Sequence, residues 1–260
     1  MKKTKFFACF LMLLPLTSCK ILVKYGEYED AYKYKVIDSN GETYNESLKN
    51  IDISWVKGDI TITSTTQYSG VTIFEKTTEM FEQEFLCHLY RSEDFLNVKY
   101  CGSNLSMPTN LDKDLIIYVP MHITLNEITI SSEKAAILIS SINCNSLKIN
   151  NVSGNVSVDK VNCEELEYEG VSGSFTSVVT SQTNKIEIEQ TSGSTILSLP
   201  GDIKGFEVDF SSVSGTLSTD FEMIKKEEDY YYGDVENKCL KIEFESISGG
   251  LYLTKHKVEK

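Results

Sequence analysis

The stretch Ile186-Glu-Ile-Glu-Gln-Thr-Ser-Gly193-Ser-Thr-Ile-Leu197 decides the fold. Apolar residues alternate at period two on both sides of a Ser-Gly pair, and no helical spacing fits them. The same twelve-residue pattern is centred on Gly154, Gly173, Gly215 and Gly249. Seven positions before each glycine stand Leu147, Leu166, Ile186, Val208 and Ile242; five before it stand Ile149, Tyr168, Ile188, Phe210 and Phe244. Two and four positions after it come pairs such as Val156 and Val158 or Leu251 and Leu253. Alternate side chains of a strand share a face, so these columns predict one apolar interior. Residues 51–62 repeat the pattern around Gly58. Around Ala135 the core columns persist in Ile128, Ile130, Ile137 and Ile139, but Lys134-Ala135 replaces Ser-Gly, which predicts a different turn.

Successive centres from Ala135 to Gly215 are 19, 19, 20 and 22 residues apart, a period that means stacked coils. A leucine-rich repeat has a similar period but needs a Leu-x-x-Leu-x-Leu frame and a laddered Asn. Here Ile, Val and Phe dominate and both halves alternate. The expected fold is all-β, a single-domain parallel β-helix-like solenoid over residues 51–254, with coils of about 19–22 residues. The glycines mark corners where φ can turn positive. This pattern resembles the bacterial "putative adhesin" family, a domain of unknown function often found in envelope lipoproteins. Asp114-Leu-Ile-Ile-Tyr-Val-Pro120 resembles that family's entry strand, whereas residues 63–113 fit poorly. The resemblance implies a β-solenoid and binding, and it brings no catalytic residues.

Residues 1–18 read as a lipoprotein signal peptide. Lys2, Lys3 and Lys5 precede the apolar run Phe6 to Leu16, which is too short to span a bilayer. Leu16-Thr17-Ser18-Cys19 then forms a lipobox, making Cys19 the expected lipidation site and the bacterial cell envelope the expected location. The membrane is thus a partner through lipid, on a periplasmic or a surface-facing side. Removing Lys2, Lys3 and Lys5 moves the formal charge from −13 to −16. With Arg91 the sole arginine, nucleic acid is excluded as a partner. Residues 19–50 carry Tyr25, Tyr28, Tyr32 and Tyr34 among charges and read as either a tether or a cap.

Five cysteines remain: Cys87, Cys101, Cys144, Cys163 and Cys239, an odd number that makes a poor disulfide framework. Cys144, Cys163 and Cys239 share a column with Leu125 and Thr183, which reads as core packing, with a Cys144–Cys163 cross-link as the alternative. Cys87 and Cys101 flank a probable hairpin and could pair. The histidines share no ligand spacing, so neither metal nor cofactor is expected.

Two outward columns are acidic. Glu167 and Glu187 stand six before the glycine; Glu169, Glu189 and Glu245 stand four before it. They read as a solvated face that deters edge aggregation, or as a face for a cation or cationic partner. A carbohydrate-active enzyme would need converging carboxyls, and these repeat with the coil, so no enzyme is expected. The remaining irregularity is the 34-residue interval from Gly215 to Gly249, whose insert at residues 220–239 contains Tyr230, Tyr231 and Tyr232. Those tyrosines suit either recognition of a protein or glycan, or coverage of the last coil. The function expected is a non-enzymatic envelope lipoprotein with an adhesin-like binding or scaffold surface. The alternative is a structural or stress-related envelope component.

Overall fold

Two alternating runs joined at a glycine corner should give two strands around a sharp bend, and in-register repeats should stack them. The computed structural model describes residues 23–226, 229–234 and 240–257. It shows that arrangement in parallel ladders. Leu147 lies beside Leu166, Leu166 beside Ile186, Ile186 beside Ile242, and Ile242 beside Val208. Each of the five is buried. One continuous apolar core runs the length of the stack, and the expected solenoid is borne out. The Ala135 corner lacks the positive φ found at Gly58, Gly154, Gly173 and Gly193; there the Ser132 hydroxyl accepts the Ala135 N–H at 3.1 Å, as the Ser212 hydroxyl accepts the Gly215 N–H at 2.8 Å.

The described strands form eight coils, numbered here in stacking order. Coil 1 is built from Phe95–Lys99 and Lys113–Pro120, coil 2 from Asn50–Thr65, and coil 3 from Thr124–Ser140. Coil 4 is Asn143–Asn151 with Val156–Val161, and coil 5 is Glu165–Gly170 with Ser174–Val179. Coil 6 is Lys185–Pro200, coil 7 is Leu240–His256, and coil 8 is Gly205–Ser212 with Leu217–Thr219. Stacking order and chain order therefore differ at both ends. Coil 1 lies outside coil 2 although it follows it in sequence. The Gly249 coil is not the terminal one; it sits between the Gly193 and Gly215 coils.

Antiparallel strands close each outer coil, so no long parallel edge is left open. At coil 1, His88–Ser92 pairs with Phe95–Lys99, and Val71–Thr77 pairs with Lys113–Pro120. The tyrosine-rich segment is a cap rather than a tether. Tyr25 N–H donates to Leu105 O at 2.8 Å, the Tyr28, Tyr34 and Tyr90 rings pack in series, and Leu48 is buried. The 63–113 misfit has its cause here, because the cap strands Val71–Thr77 and His88–Ser92 come before coil 1 in the chain and residues 100–112 separate its two pieces. At coil 8 the insert does not project freely. Asp229–Gly233 adds antiparallel to Gly205–Ser212, and Ile224–Lys226 adds to that.

Candidate binding groove

Corner chemistry positions the site. Gly58, Gly154, Gly173 and Gly193 have φ of +98°, +116°, +115° and +125°. A Cβ on Gly173 would collide with Gly154 O, and one on Gly193 with Gly173 O, so consecutive corners touch backbone to backbone. Gly215 and Gly249 do not take positive φ; they are required by close approach, to Gly249 O and to the Gln190 amide respectively. The serine before each glycine fastens one coil to the next. Ser153, Ser172, Ser192, Ser248 and Ser214 donate their hydroxyls to Glu133 O, Val152 O, Val171 O, Thr191 O and Ile247 O at 3.0–3.4 Å.

Alternation then dictates what lies beside the corner. Three residues before the glycine the side chain turns inward, and polar groups occupy most of that column, Asn151 and Gln190 buried and Ser212 and Ser246 half-buried. Asn151 Nδ2 donates to Ala135 O and Gly154 O, Gln190 Nε2 to Gly193 O, and Ser246 Oγ to Gly249 O. The positions on either side of this column face out. Two before the glycine stand Val152, Val171, Ile247 and Val213, which are 51%, 48%, 42% and 82% exposed. Four before it stand Glu169, Glu189 and Glu245, in register on three successive coils. Between these two lips runs a groove of about 1050 Å³ along the stack, from Ser54 and Trp55 in coil 2 to Val213 in coil 8, with Tyr25 at its near end.

The two acidic columns differ electrostatically. Glu187 is paired with Lys185 at 2.7 Å, and Glu167 approaches Lys148 at 3.9 Å. Among the described residues no ion pair involves Glu169, Glu189 or Glu245. Partial burial, and then Glu169, Glu245, Glu187 and Glu167, push the Glu189 carboxyl above its ordinary value. A raised carboxylate pKa means the folded state holds the proton more tightly than the unfolded chain, so the deficit exists at neutral pH and is relieved on acidification. Glu189→Gln is expected to raise the melting temperature at pH 7.5 by a few degrees. One such repulsion in water amounts to about 1 kcal/mol at 4 Å before salt screening. The gain should shrink as pH falls into the ordinary carboxylate range. Thermal unfolding at both pH values checks this, and a melting temperature lowered at pH 7.5 contradicts it.

The sequence-predicted residues divide between two places. Glu169 and Glu189 line the groove, with Glu167 and Glu187 in the neighbouring column. Tyr230, Tyr231 and Tyr232 do not line it. Tyr232 stacks on Phe206 at 5.2 Å and meets Phe221 edge-on at 4.9 Å, the Lys225 ammonium lies 5.1 Å from the Tyr230 ring, and Tyr231 donates to Asp229 at 3.3 Å. This is the packing of a cap over coil 8. Cys19 and Cys239 lie outside the described residues. The residue before each Ser-Gly pair is Val, Thr or Ile (Val152, Val171, Thr191, Val213 and Ile247), and a corner column can point either way, so hydropathy alone does not mark it as a surface.

A second polar cluster is internal. Lys113 is buried beneath the cap of coil 1, bonded to Glu75 Oε1 at 2.5 Å, Phe85 O at 2.6 Å and Tyr100 O, with Trp55 Nε1 donating to Lys113 O at 3.1 Å. Cys87 and Cys101 beside it are free thiols. Burial pushes Cys101 up to about 12 and Cys87 up as well, so neither offers a thiolate. Cys144 and Cys163, on adjacent coils, are likewise free and buried. No group of three metal-ligating side chains exists among the described residues, and no described helix is long and apolar enough to cross a membrane.

The comparisons with known proteins follow the fold. Residues 45–253 match the family described as Toastrack DUF4097. The chain belongs to the Toastrack family. A "putative cell adhesion protein" from Clostridium sporogenes ATCC 15579 is similar in structure, with a TM-score of 0.53 at 15% identity, over 86% of this Toastrack chain and 98% of that one. A "putative adhesin" from Bacteroides fragilis NCTC 9343 aligns over 85% of this chain and 97% of that one, at 14% identity and a TM-score of 0.42. Identity this low speaks to fold alone. No curated protein matches the sequence. The Toastrack family is one of unknown function, so the site must be read from its own residues.

Proposed function

We propose that this Toastrack protein is a non-enzymatic envelope lipoprotein, held by a lipid on Cys19, whose solenoid presents the groove as a contact surface for a protein or glycan. The groove carries this reading. A continuous channel with an apolar lip and an unpaired acidic lip is a recognition surface rather than a catalytic one, since its carboxylates recur with the coil instead of converging on one point. The lipobox residues support the anchor, and the adhesion-related descriptions of the structural neighbours agree with binding.

Three measurements test it. Palmitate labelling should be abolished by Cys19→Ala; incorporation that survives the substitution refutes the anchor. Affinity capture from intact envelope should recover a partner with the wild-type chain that is lost with Glu169→Gln/Glu189→Gln/Glu245→Gln. Tyr230→Ala/Tyr231→Ala/Tyr232→Ala should lose stability and leave the partner bound. Depolymerisation of an envelope polysaccharide that disappears on Glu187→Gln or Glu189→Gln would overturn the non-enzymatic reading.

A further inference from the structure

The groove's dimensions and chemistry narrow what can lie in it. From coil 2 to coil 8 there are six steps of about 4.8 Å, a length of about 29 Å. Its volume of about 1050 Å³ is an open trough along that length. An extended polypeptide rising about 3.4 Å per residue covers it with about eight or nine residues.

The charged side chains lining the groove have one sign. Glu169, Glu189 and Glu245 are acceptors without an ion pair among the described residues. Asn151, which lines the groove and is 2% exposed, has its amide nitrogen bonded and its Oδ1 without a partner. Coil-to-coil hydrogen bonds such as Val171 N–H to Asn151 O at 3.3 Å already use backbone groups along the corner, so strand addition has little to pair with there. Recognition must come through side chains, with donors on one side of the occupant and apolar groups on the other.

We infer that the groove receives an extended, basic segment of another polypeptide, with Lys or Arg at alternate positions toward the Glu169–Glu189–Glu245 lip and apolar residues toward Val171 and Ile247. This rests on the binding reading above and chooses its protein branch over its glycan branch. Alternation in an extended chain puts successive side chains on opposite sides, which matches two parallel lips of opposite character. The hydroxyls of a neutral glycan can donate to these carboxylates but bring no charge to offset three in a row, and an anionic glycan is repelled. A bare divalent cation is disfavoured because the carboxylates stand in a line rather than a cluster.

The test uses the full-length protein in non-ionic detergent and a fluorescein-labelled nonapeptide of alternating lysine and valine, read by anisotropy at 50 mM salt. Binding is expected to weaken at least tenfold in Glu169→Gln/Glu189→Gln/Glu245→Gln and several-fold in Val171→Ser/Ile247→Ser. It should be unchanged in Glu79→Gln/Glu82→Gln/Glu84→Gln, which removes as much charge from an exposed segment elsewhere. Far-UV circular dichroism confirms that each variant is folded. Absence of binding overturns the inference, as does equal loss in both glutamine triples. So does equal affinity for a lysine–glycine peptide, or displacement of the peptide by micromolar calcium. If the peptide fails while a groove-dependent envelope partner is recovered, the inference falls and the binding function stands. If the peptide binds as expected while no envelope partner depends on the groove, the reverse holds.

Discussion

Gly173→Ala is expected to destabilise the protein by about 3–5 kcal/mol, seen as a fall of roughly 10 °C in melting temperature. Two costs act together. A φ of +115° lies where only glycine rests comfortably, and the added Cβ meets Gly154 O of the coil below. Neither can be relaxed locally, because Gly154 and Gly193 hold the same geometry on either side. Moving one corner moves three. Gly26→Ala is the control: nothing lies within 4 Å of its built Cβ and its φ is not positive, so it should be neutral. Equal melting temperatures for Gly173→Ala and the wild type would show that the corners are not rigidly stacked.

Lys113→Met should cost about 3–5 kcal/mol for a different reason. Its ammonium is the donor for Glu75, Phe85 O and Tyr100 O inside the coil 1 cap, and its removal strands a buried carboxylate. Lys113→Met/Glu75→Gln should be more stable than Lys113→Met alone. The glutamine still offers an oxygen to the Cys87 N–H, which Glu75 accepts at 2.9 Å, and it leaves no unpaired charge. Urea denaturation of the two singles and the double measures the coupling. Additive losses would mean that the pair contributes nothing as a pair.

The inward columns were legible because period two assigns every residue to a face, and Leu147, Leu166 and Ile186 needed only their spacing. What period two leaves undetermined is which coil neighbours which. Val208 and Ile242 are equally apolar occupants of the column above Ile186, so the exchange of the Gly215 and Gly249 coils leaves no trace in the pattern beyond the long interval between them. Coil 1 was hidden for the complementary reason. Its strand Phe95–Lys99 and its strand Lys113–Pro120 are separated by cap residues, and Lys113 occupies a corner-adjacent position with a charge satisfied only by tertiary partners. The acidic lip was readable as a column, whereas the groove was not. Whether Val171 and Ile247 point out at a corner depends on backbone turning, which hydropathy does not encode.

The seating of coil 7 between coils 6 and 8 has a consequence for synthesis. As the chain emerges, residues 205–219 are made well before 240–256, yet their only parallel neighbour is the strand that arrives later. Until then the Lys185–Pro200 edge and coil 8 both lack the strand that pairs with them in the finished fold. A ribosome that stalls at residue 239 therefore releases a product missing two layers, with an open edge of the kind that recruits proteases and aggregates. The outer layer therefore waits on the inner one, and the last coil of the stack is not the last to be made.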